Sequence, residues 1–312
     1  MLYNQFMQKL VVILGPTASG KTSLSIRLAK KFNGEVISAD SRQIYKHLRI
    51  GSSVITEKET QGIKHHLVEF LDPQKTFSAG EFQKLARKKI KEIEKRKKLP
   101  FIVGGTGFYI DAMTENKILT KVKPNKKLRQ QLESKTPKEL LRILKKANLE
   151  RAAVIDKNNP RRLIRAIEIA SASPMFNVSR FMLHENYNVL YLGVSKPPQK
   201  LKKDIEARFV QWLENGFLKE VEKLIKLGIP SKKFKELGLH YWLAYSFLKN
   251  KISFKEFYEK SLFSLWHYAK RQNTWFKKNK KIRWITTEKQ AETLLERFLN
   301  ATKPQIFRSS SL

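Results

Sequence analysis

The sequence predicts an α/β fold in which a parallel sheet is covered by helices and carries a helical insertion. Three observations predict it. From Lys9 to Val103, short apolar runs alternate with helical patterns, the order that builds a parallel sheet buried on both faces. A glycine-rich turn follows the first run and opens a helix. From 117 to 186 the strand pattern stops, leaving short stretches rich in Lys and Arg, and it resumes at Val189–Val194.

Lys9–Leu14 reads as a buried strand, followed by the turn and an amphipathic helix from Lys21 to about Phe32. Glu35–Ala39 is a second strand, ending at Asp40, and Leu67–Leu71 is expected to be a third. Ser78 starts a helix reaching about Lys97, with Glu81 three residues on completing a capping box. Leu99–Val103 is a strand that runs into Gly104-Gly105. After the insertion, helices are expected at about Pro198–Leu227, Leu239–Leu248 and Phe254–Lys277, then a strand at Lys281–Ile285 and a helix at Lys289–Leu299. Trp266, Trp275, Phe276 and Trp284 are expected in the core. The expected domains are a catalytic core of 1–116 plus 187–300, an insertion of 117–186, and a polar, frayed tail of 301–312.

Composition narrows the function. The chain of 312 residues is 41% hydrophobic, enough for a sizeable core. It has no cysteine, which excludes disulfides, thiolate metal sites and a cysteine nucleophile. Sixty-three Lys and Arg against 28 Asp and Glu give a net charge of +35. Such a surface attracts polyanions, nucleic acid foremost, although composition bias alone can raise the lysine count. The apolar run Leu10–Leu14 is far too short to span a bilayer, and Met1–Lys9 lacks the makings of a signal peptide. A cytoplasmic protein with no membrane partner is expected, and nothing calls for a dimer, so a monomer is expected.

Gly15-Pro16-Thr17-Ala18-Ser19-Gly20-Lys21-Thr22 fits G-x-x-x-x-G-K-[ST] at each fixed position, between a strand and a helix. The glycines let backbone N–H groups converge on phosphate oxygens, the helix start adds positive potential, Lys21 supplies a cation and the Thr22 hydroxyl can ligate Mg2+. The core is therefore expected to be P-loop NTPase-like, with a di- or triphosphate ligand. Nucleotide hydrolases usually hold magnesium with an acidic residue at the end of a later strand. Here Phe101-Ile102-Val103 runs into Gly104-Gly105-Thr106-Gly107, and the carboxylate stands at Asp40. Clefts in such sheets lie at the carboxyl ends of the strands, so Gly15–Thr22, Asp40 and Thr106 should share one rim. Each has a plainer alternative: Asp40 as a turn cap, Thr106 as a helix N-cap. His65-His66 read as a buried hydrogen-bonded pair, since no second cluster of metal ligands accompanies them.

The segments GPTASGKT (Gly15–Thr22), ADSRQIY (Ala39–Tyr45), GIKHHLVEFLDP (Gly62–Pro73), FSAGEF (Phe77–Phe82), LPFIVGGTGFY (Leu99–Tyr109), NPRRLIRAIEI (Asn159–Ile169) and YAKRQNTWF (Tyr268–Phe276) occur in this order. Together they resemble the bacterial tRNA dimethylallyltransferase family over nearly the whole chain. The resemblance implies transfer of a dimethylallyl group from dimethylallyl diphosphate to the exocyclic amine of adenine 37 in a tRNA anticodon stem-loop. It implies that Gly15 and Thr17, Ala18, Ser19, Gly20, Lys21 and Thr22 hold the diphosphate with Mg2+ at Thr22. Asp40 would be the general base, Thr106 would bond the diphosphate near its bridging oxygen, and Ser41, Arg42 and Gln43 would lie against the flipped-out base. Arg129 and the segment Arg161, Arg162, Leu163, Ile164, Arg165 would contact tRNA, and the insertion would be the swinging domain that clasps the stem-loop.

The chain departs from the family at three places. Ser52-Ser53-Val54-Ile55 stands for T-A-K-P, Gly238-Leu239-His240-Tyr241 for G-Y-R-[QE], and Leu265-Trp266 stands near the usual T-R. Two alternatives stay open on the sequence: a P-loop kinase of small metabolites or nucleotides, and an RNA-binding relative with impaired catalysis.

Overall fold

The computed structural model describes residues 8–115, 122–172 and 187–301. The chain divides into two compact units, Met1–Glu115 with Glu185–Leu312, and Asn116–His184. The tail from Thr302 lies outside the described residues.

The first unit is built on β1 (Gln8–Leu14), α1 (Lys21–Lys31), β2 (Gly34–Ser38), α2 (Glu57–Thr60), β3 (His65–His66), α3 (Ala79–Lys95), β4 (Leu99–Gly104) and α4 (Gly107–Thr114). The second holds α5 (Lys126–Glu133), α6 (Pro137–Ala147), α7 (Leu149–Val154) and α8 (Pro160–Ala172). The chain then returns to the first with β5 (Tyr187–Val194), α9 (Pro198–Glu214), α10 (Phe217–Lys226), α11 (Ser231–Leu237), α12 (Leu239–Leu248), α13 (Phe254–Phe276), β6 (Arg283–Ile285) and α14 (Glu288–Asn300).

The sheet is wholly parallel, in the order β3-β2-β4-β1-β5-β6. Leu14 pairs with Gly104 and with Gly193, and Ser38 pairs with Val103, so the carboxyl ends of four strands reach one rim. Val11, Ile13, Val36, Phe101 and Leu192 pack with Leu24 and Leu28 of α1 and Leu295 of α14. A separate helical core joins α9 to α13 around Phe209, Phe217, Phe234, Tyr241 and Phe257, all fully buried. The α3 capping box forms as the sequence expects, with Ser78 and Glu81 bonded reciprocally.

Four expectations are corrected. The Leu67–Leu71 run is not a sheet strand: β3 is only His65–His66, and the chain turns at Leu67 (φ 61°). Its backbone bonds go instead to the 43–46 turn, from Glu69 N to Gln43 O and from Phe70 N to Ile44 O. The helix expected over Pro198–Leu227 breaks at Asn215-Gly216, where Gly216 takes φ 91°. Helix α11 was not anticipated, although Pro230-Ser231 and Gly238 bracket it as start and stop signals. Trp284 is 40% exposed, because β6 is an edge strand and only part of the ring packs over Gly193; Phe276 is buried as expected.

The rim is held by a close backbone crossing. A Cβ on Gly104 would sit 2.2 Å from the Ala39 carbonyl oxygen, and Ala39 both donates to Val103 O and accepts from Thr106 N. Gly104→Ala is therefore expected to cost roughly 1–3 kcal/mol in denaturant melts, because backbone rather than a flexible side chain must move.

Candidate active site

The glycine turn after β1 folds as its residues require. Gly20 adopts φ 93° and Ala18 φ 61°, curling the loop back so that α1 starts at Lys21. The Lys21 ammonium donates to the Pro16 carbonyl at 3.1 Å, which holds it over the loop. Burial pulls the Lys21 pKa down to about 8, the Arg208 charge pulls the same way, and Asp40 opposes both. The Ser19 hydroxyl is buried and meets no protein partner, so a phosphate oxygen would satisfy it.

Thr17, Lys21, Thr22, Asp40, Arg42 and Gln43 line one cleft of about 900 Å³ at the carboxyl rim of the sheet. Asp40 Oδ1 accepts from the amides of Arg42 (2.8 Å) and Gln43 (3.4 Å). The aspartate thus caps its turn with one oxygen, which leaves the second for the cleft. Thr106 stands at the N-cap position of α4, but its hydroxyl makes no cap bond. Instead it accepts from Ser41 N at 3.1 Å. Arg42 is held by its Nε on the Leu237 carbonyl and by the Tyr268 ring, 5.1 Å from the guanidinium carbon. The Gln43 side-chain amide donates to the Ser52 and Ser53 carbonyls (3.2 and 3.0 Å), and its oxygen accepts from Ser38 Oγ (2.8 Å). Its polar atoms tie the turn after β2 to the 52–53 segment.

Residues 43–279 match the family described as IPP transferase. This chain belongs to that family.

The tRNA dimethylallyltransferase of Anoxybacillus flavithermus is 38% identical over 298 residues, 94% of each chain. That of Bacillus subtilis is 37% identical over 291 residues, 90% of this chain and 92% of its own. The crystal structure of the full-length tRNA isopentenylpyrophosphate transferase of Bacillus halodurans superposes with TM-score 0.69 at 34% identity, covering 94% of this chain and 98% of that one. A eukaryotic dimethylallyltransferase, crystallised acting on tRNA, gives TM-score 0.76 at 27% identity over 93% of this chain and 77% of its own.

In this IPP transferase family member the fold adds site residues that the sequence did not single out. Gln272 of α13 accepts from Thr17 N (2.9 Å) with one end of its amide and donates to Gly105 O (2.9 Å) with the other. It bridges the phosphate loop and the glycine turn from more than 160 residues away. Arg208 of α9 lines the cleft and donates to Thr17 Oγ1 at 3.3 Å. Neither has a local motif; only Gln272 lay inside a recognised segment. Lys196 holds the loop from outside, donating to Ala18 O (2.9 Å) and pairing with Asp204.

The departures from the family pattern form a built wall. Glu220 accepts from the amides of Ile50 (2.7 Å) and Gly51 (3.1 Å) and from the Tyr241 hydroxyl (2.8 Å). His240 is buried, donates from Nε2 to the Gly51 carbonyl (3.1 Å) and lies 5.5 Å from the Trp212 ring. Burial, helped by the Arg42 charge, pushes its pKa down to about 3, so the ring is neutral. Trp212 Nε1 donates to Ser53 Oγ at 3.0 Å. The Ile50–Ser53 segment is thereby held by Gln43, Glu220, His240 and Trp212 without the family's lysine and arginine.

The other expected residues fall in the second unit. Arg129 donates twice to Glu168 at 2.7 Å, and Arg165 donates to Glu168 (3.1 Å) and to Val122 O (2.7 Å). Burial works to raise the Glu168 carboxyl, but Arg129, the Asn125 amide and Arg165 outweigh it and hold its pKa below the usual range. The side chains of Leu163 and Ile164, between these arginines, are packed in this unit's core with Leu140 and Leu144. Arg161 and Arg162 are exposed on the first turn of α8. His66 is buried and bonded to Glu35 at 2.7 Å, while His65 Nδ1 donates to Ile63 O. Among the described residues no group of three His, Asp or Glu could hold a metal ion alone.

Proposed function

We propose that the chain transfers the dimethylallyl group of dimethylallyl diphosphate to the exocyclic amine of adenine 37 in tRNA, releasing diphosphate. The observation that carries this reading is Asp40: one oxygen fixed by two backbone amides, the carboxylate facing the cleft that also holds Lys21 and Thr22. The amine nitrogen forms a bond to the allylic carbon, the bond from that carbon to the diphosphate oxygen breaks, and the amine proton passes to Asp40. Negative charge grows on the leaving diphosphate, where Lys21, Arg208, the Ser19 hydroxyl and the loop amides are already placed. The reacting base must leave its stack to reach Asp40, which an unpaired loop makes cheaper.

Magnesium fits this site. The ion keeps several waters and takes one or two protein oxygens plus phosphate oxygens, and the Thr22 hydroxyl, exposed on the cleft, would supply one such oxygen. When bound, the metal neutralises charge on the departing diphosphate. Exposed Arg161 and Arg162 are the proposed tRNA contacts of the inserted unit, with Arg129 and Arg165 ordering the helix that carries them. A cytoplasmic, monomeric enzyme belongs to the same proposal; no described helix is long and apolar enough to cross a membrane.

Lys21 gives a pH signature. Its pKa of about 8 is depressed, so the ammonium is present below that pH and is lost above it. A diphosphate favours the charged form. The KM for prenyl diphosphate is therefore expected to rise above about pH 8 in steady-state assays, and this inflection is expected to vanish in Lys21→Ala. The function itself is tested by incubating the enzyme with tRNA and either donor. Diphosphate release matched to modified adenine supports it; ADP formation from ATP with no change in the tRNA would sink it. The kinase and binding-only readings are not favoured by the family the chain belongs to.

A further inference from the structure

Helix α13 has two stripes. One is buried: Phe257, Ser261, Leu265, Ala269, Gln272 and Phe276 face the core, at the three- and four-residue spacing of a helix side. The other runs through Phe263, His267, Lys270, Arg271 and Thr274, of which Phe263 is 65% exposed. Phe263 and His267 are one turn apart with ring centroids 4.2 Å apart, tilted by 44°. The Lys270 ammonium lies over the Trp266 ring at 5.1 Å. Arg271 and the neighbouring Tyr268 line the cleft, so the stripe is continuous with the proposed active site. From Phe263 to Lys281 the chain has six Lys and Arg and no acidic residue.

The exposed Phe263, backed by half-buried His267, has Glu259 one turn before it and Lys270 and Arg271 two turns after it, and the patch is too small and too charged for an apolar protein interface. It has the two parts of a single-strand nucleic-acid platform: a ring on which a base stacks whatever its identity, and ammonium groups at phosphate reach. We propose that this outer stripe of α13 seats unpaired nucleotides flanking the reacting adenine, with Phe263 and His267 as the stacking surface and Lys270 as a phosphate contact. The inference rests on the tRNA-modifying reading of the cleft.

The test uses the full chain, a fluorescent anticodon stem-loop RNA and a prenyl-transfer assay. Phe263→Ala is expected to weaken RNA binding roughly tenfold, seen as a higher KM for RNA and not for prenyl diphosphate. Phe263→Trp, which keeps a stacking face, is expected to retain affinity, whereas a merely structural role would not be rescued by a larger ring. Lys270→Ala is expected to shorten the salt dependence of binding by about one unit of slope. Phe263 is exposed, so melting curves of the variants should match the wild type. A Phe263→Ala enzyme that binds RNA as tightly as an active wild type overturns the platform alone. So does loss, in Phe263→Ala, of a concentration-dependent wild-type dimer on sedimentation, which would assign the stripe to self-association. A wild type that neither binds nor modifies RNA overturns the proposed function together with the platform.

Discussion

Asp40→Asn is expected to lower prenyl transfer by a factor of about 10²–10⁴, the usual worth of a positioned general base. The substitution separates the two jobs of this side chain. The amide oxygen of asparagine can still accept from the Arg42 and Gln43 amides, which the wild-type Oδ1 does at 2.8 and 3.4 Å. The turn after β2 therefore keeps its cap, and the melting temperature should hold. What is lost is the basic oxygen that takes the amine proton. The fall should appear in kcat, with the KM for prenyl diphosphate little changed, because the phosphate loop is untouched. Asp40→Ala should be no more active and also less stable, since a capped turn is opened. Near-normal turnover in Asp40→Asn, measured in single-turnover transfer, would move the proton acceptor elsewhere.

Lys21→Ala is expected to cost about 10²–10³ in kcat and to weaken the binding of prenyl diphosphate as well. The ammonium is held over its own loop by the Pro16 carbonyl and faces a cleft that Arg208 and Thr22 also line. Charge builds on the diphosphate as the allylic bond breaks, so a cation fixed there acts more on the transition state than on the ground state. Lys21→Arg should recover little, since a planar fork cannot take the place of a compact ammonium beside Arg208. Diphosphate binding by calorimetry and transfer rates on the same variants check both parts. Unchanged binding in Lys21→Ala would mean that the diphosphate does not occupy this loop.

The phosphate loop and Asp40 were legible in the sequence because each is specified locally: a glycine turn between strand and helix, and a carboxylate at a strand end. The parallel sheet was legible from alternation, yet its third strand was misplaced. An apolar run such as Leu67–Leu71 says that a segment is buried and not what its backbone bonds to; here Ile44 and Gln43 take those bonds. Arg208 and Gln272 were not legible as site residues, because only the packing of α9 and α13 brings them to Thr17. Arg129, Leu163 and Ile164 were named from their segments, but the glutamate 39 residues away that Arg129 bonds and the core that takes the two apolar side chains appear only in the fold. The altered positions at Ser52–Ile55 and His240 read as losses in sequence. In space His240, Gln43 and Trp212 bond the same wall, so the altered positions sit in a hydrogen-bonded structure of their own.

The most direct measurement is transfer of carbon-labelled dimethylallyl diphosphate to an unmodified tRNA carrying adenine at position 37, with magnesium, alongside the same tRNA carrying guanine there. Label in the adenine tRNA alone, with diphosphate released in step, is the result expected of this cleft. No label in either tRNA, from a folded protein that binds RNA, would contradict the assignment of prenyl transfer to Lys21, Thr22 and Asp40.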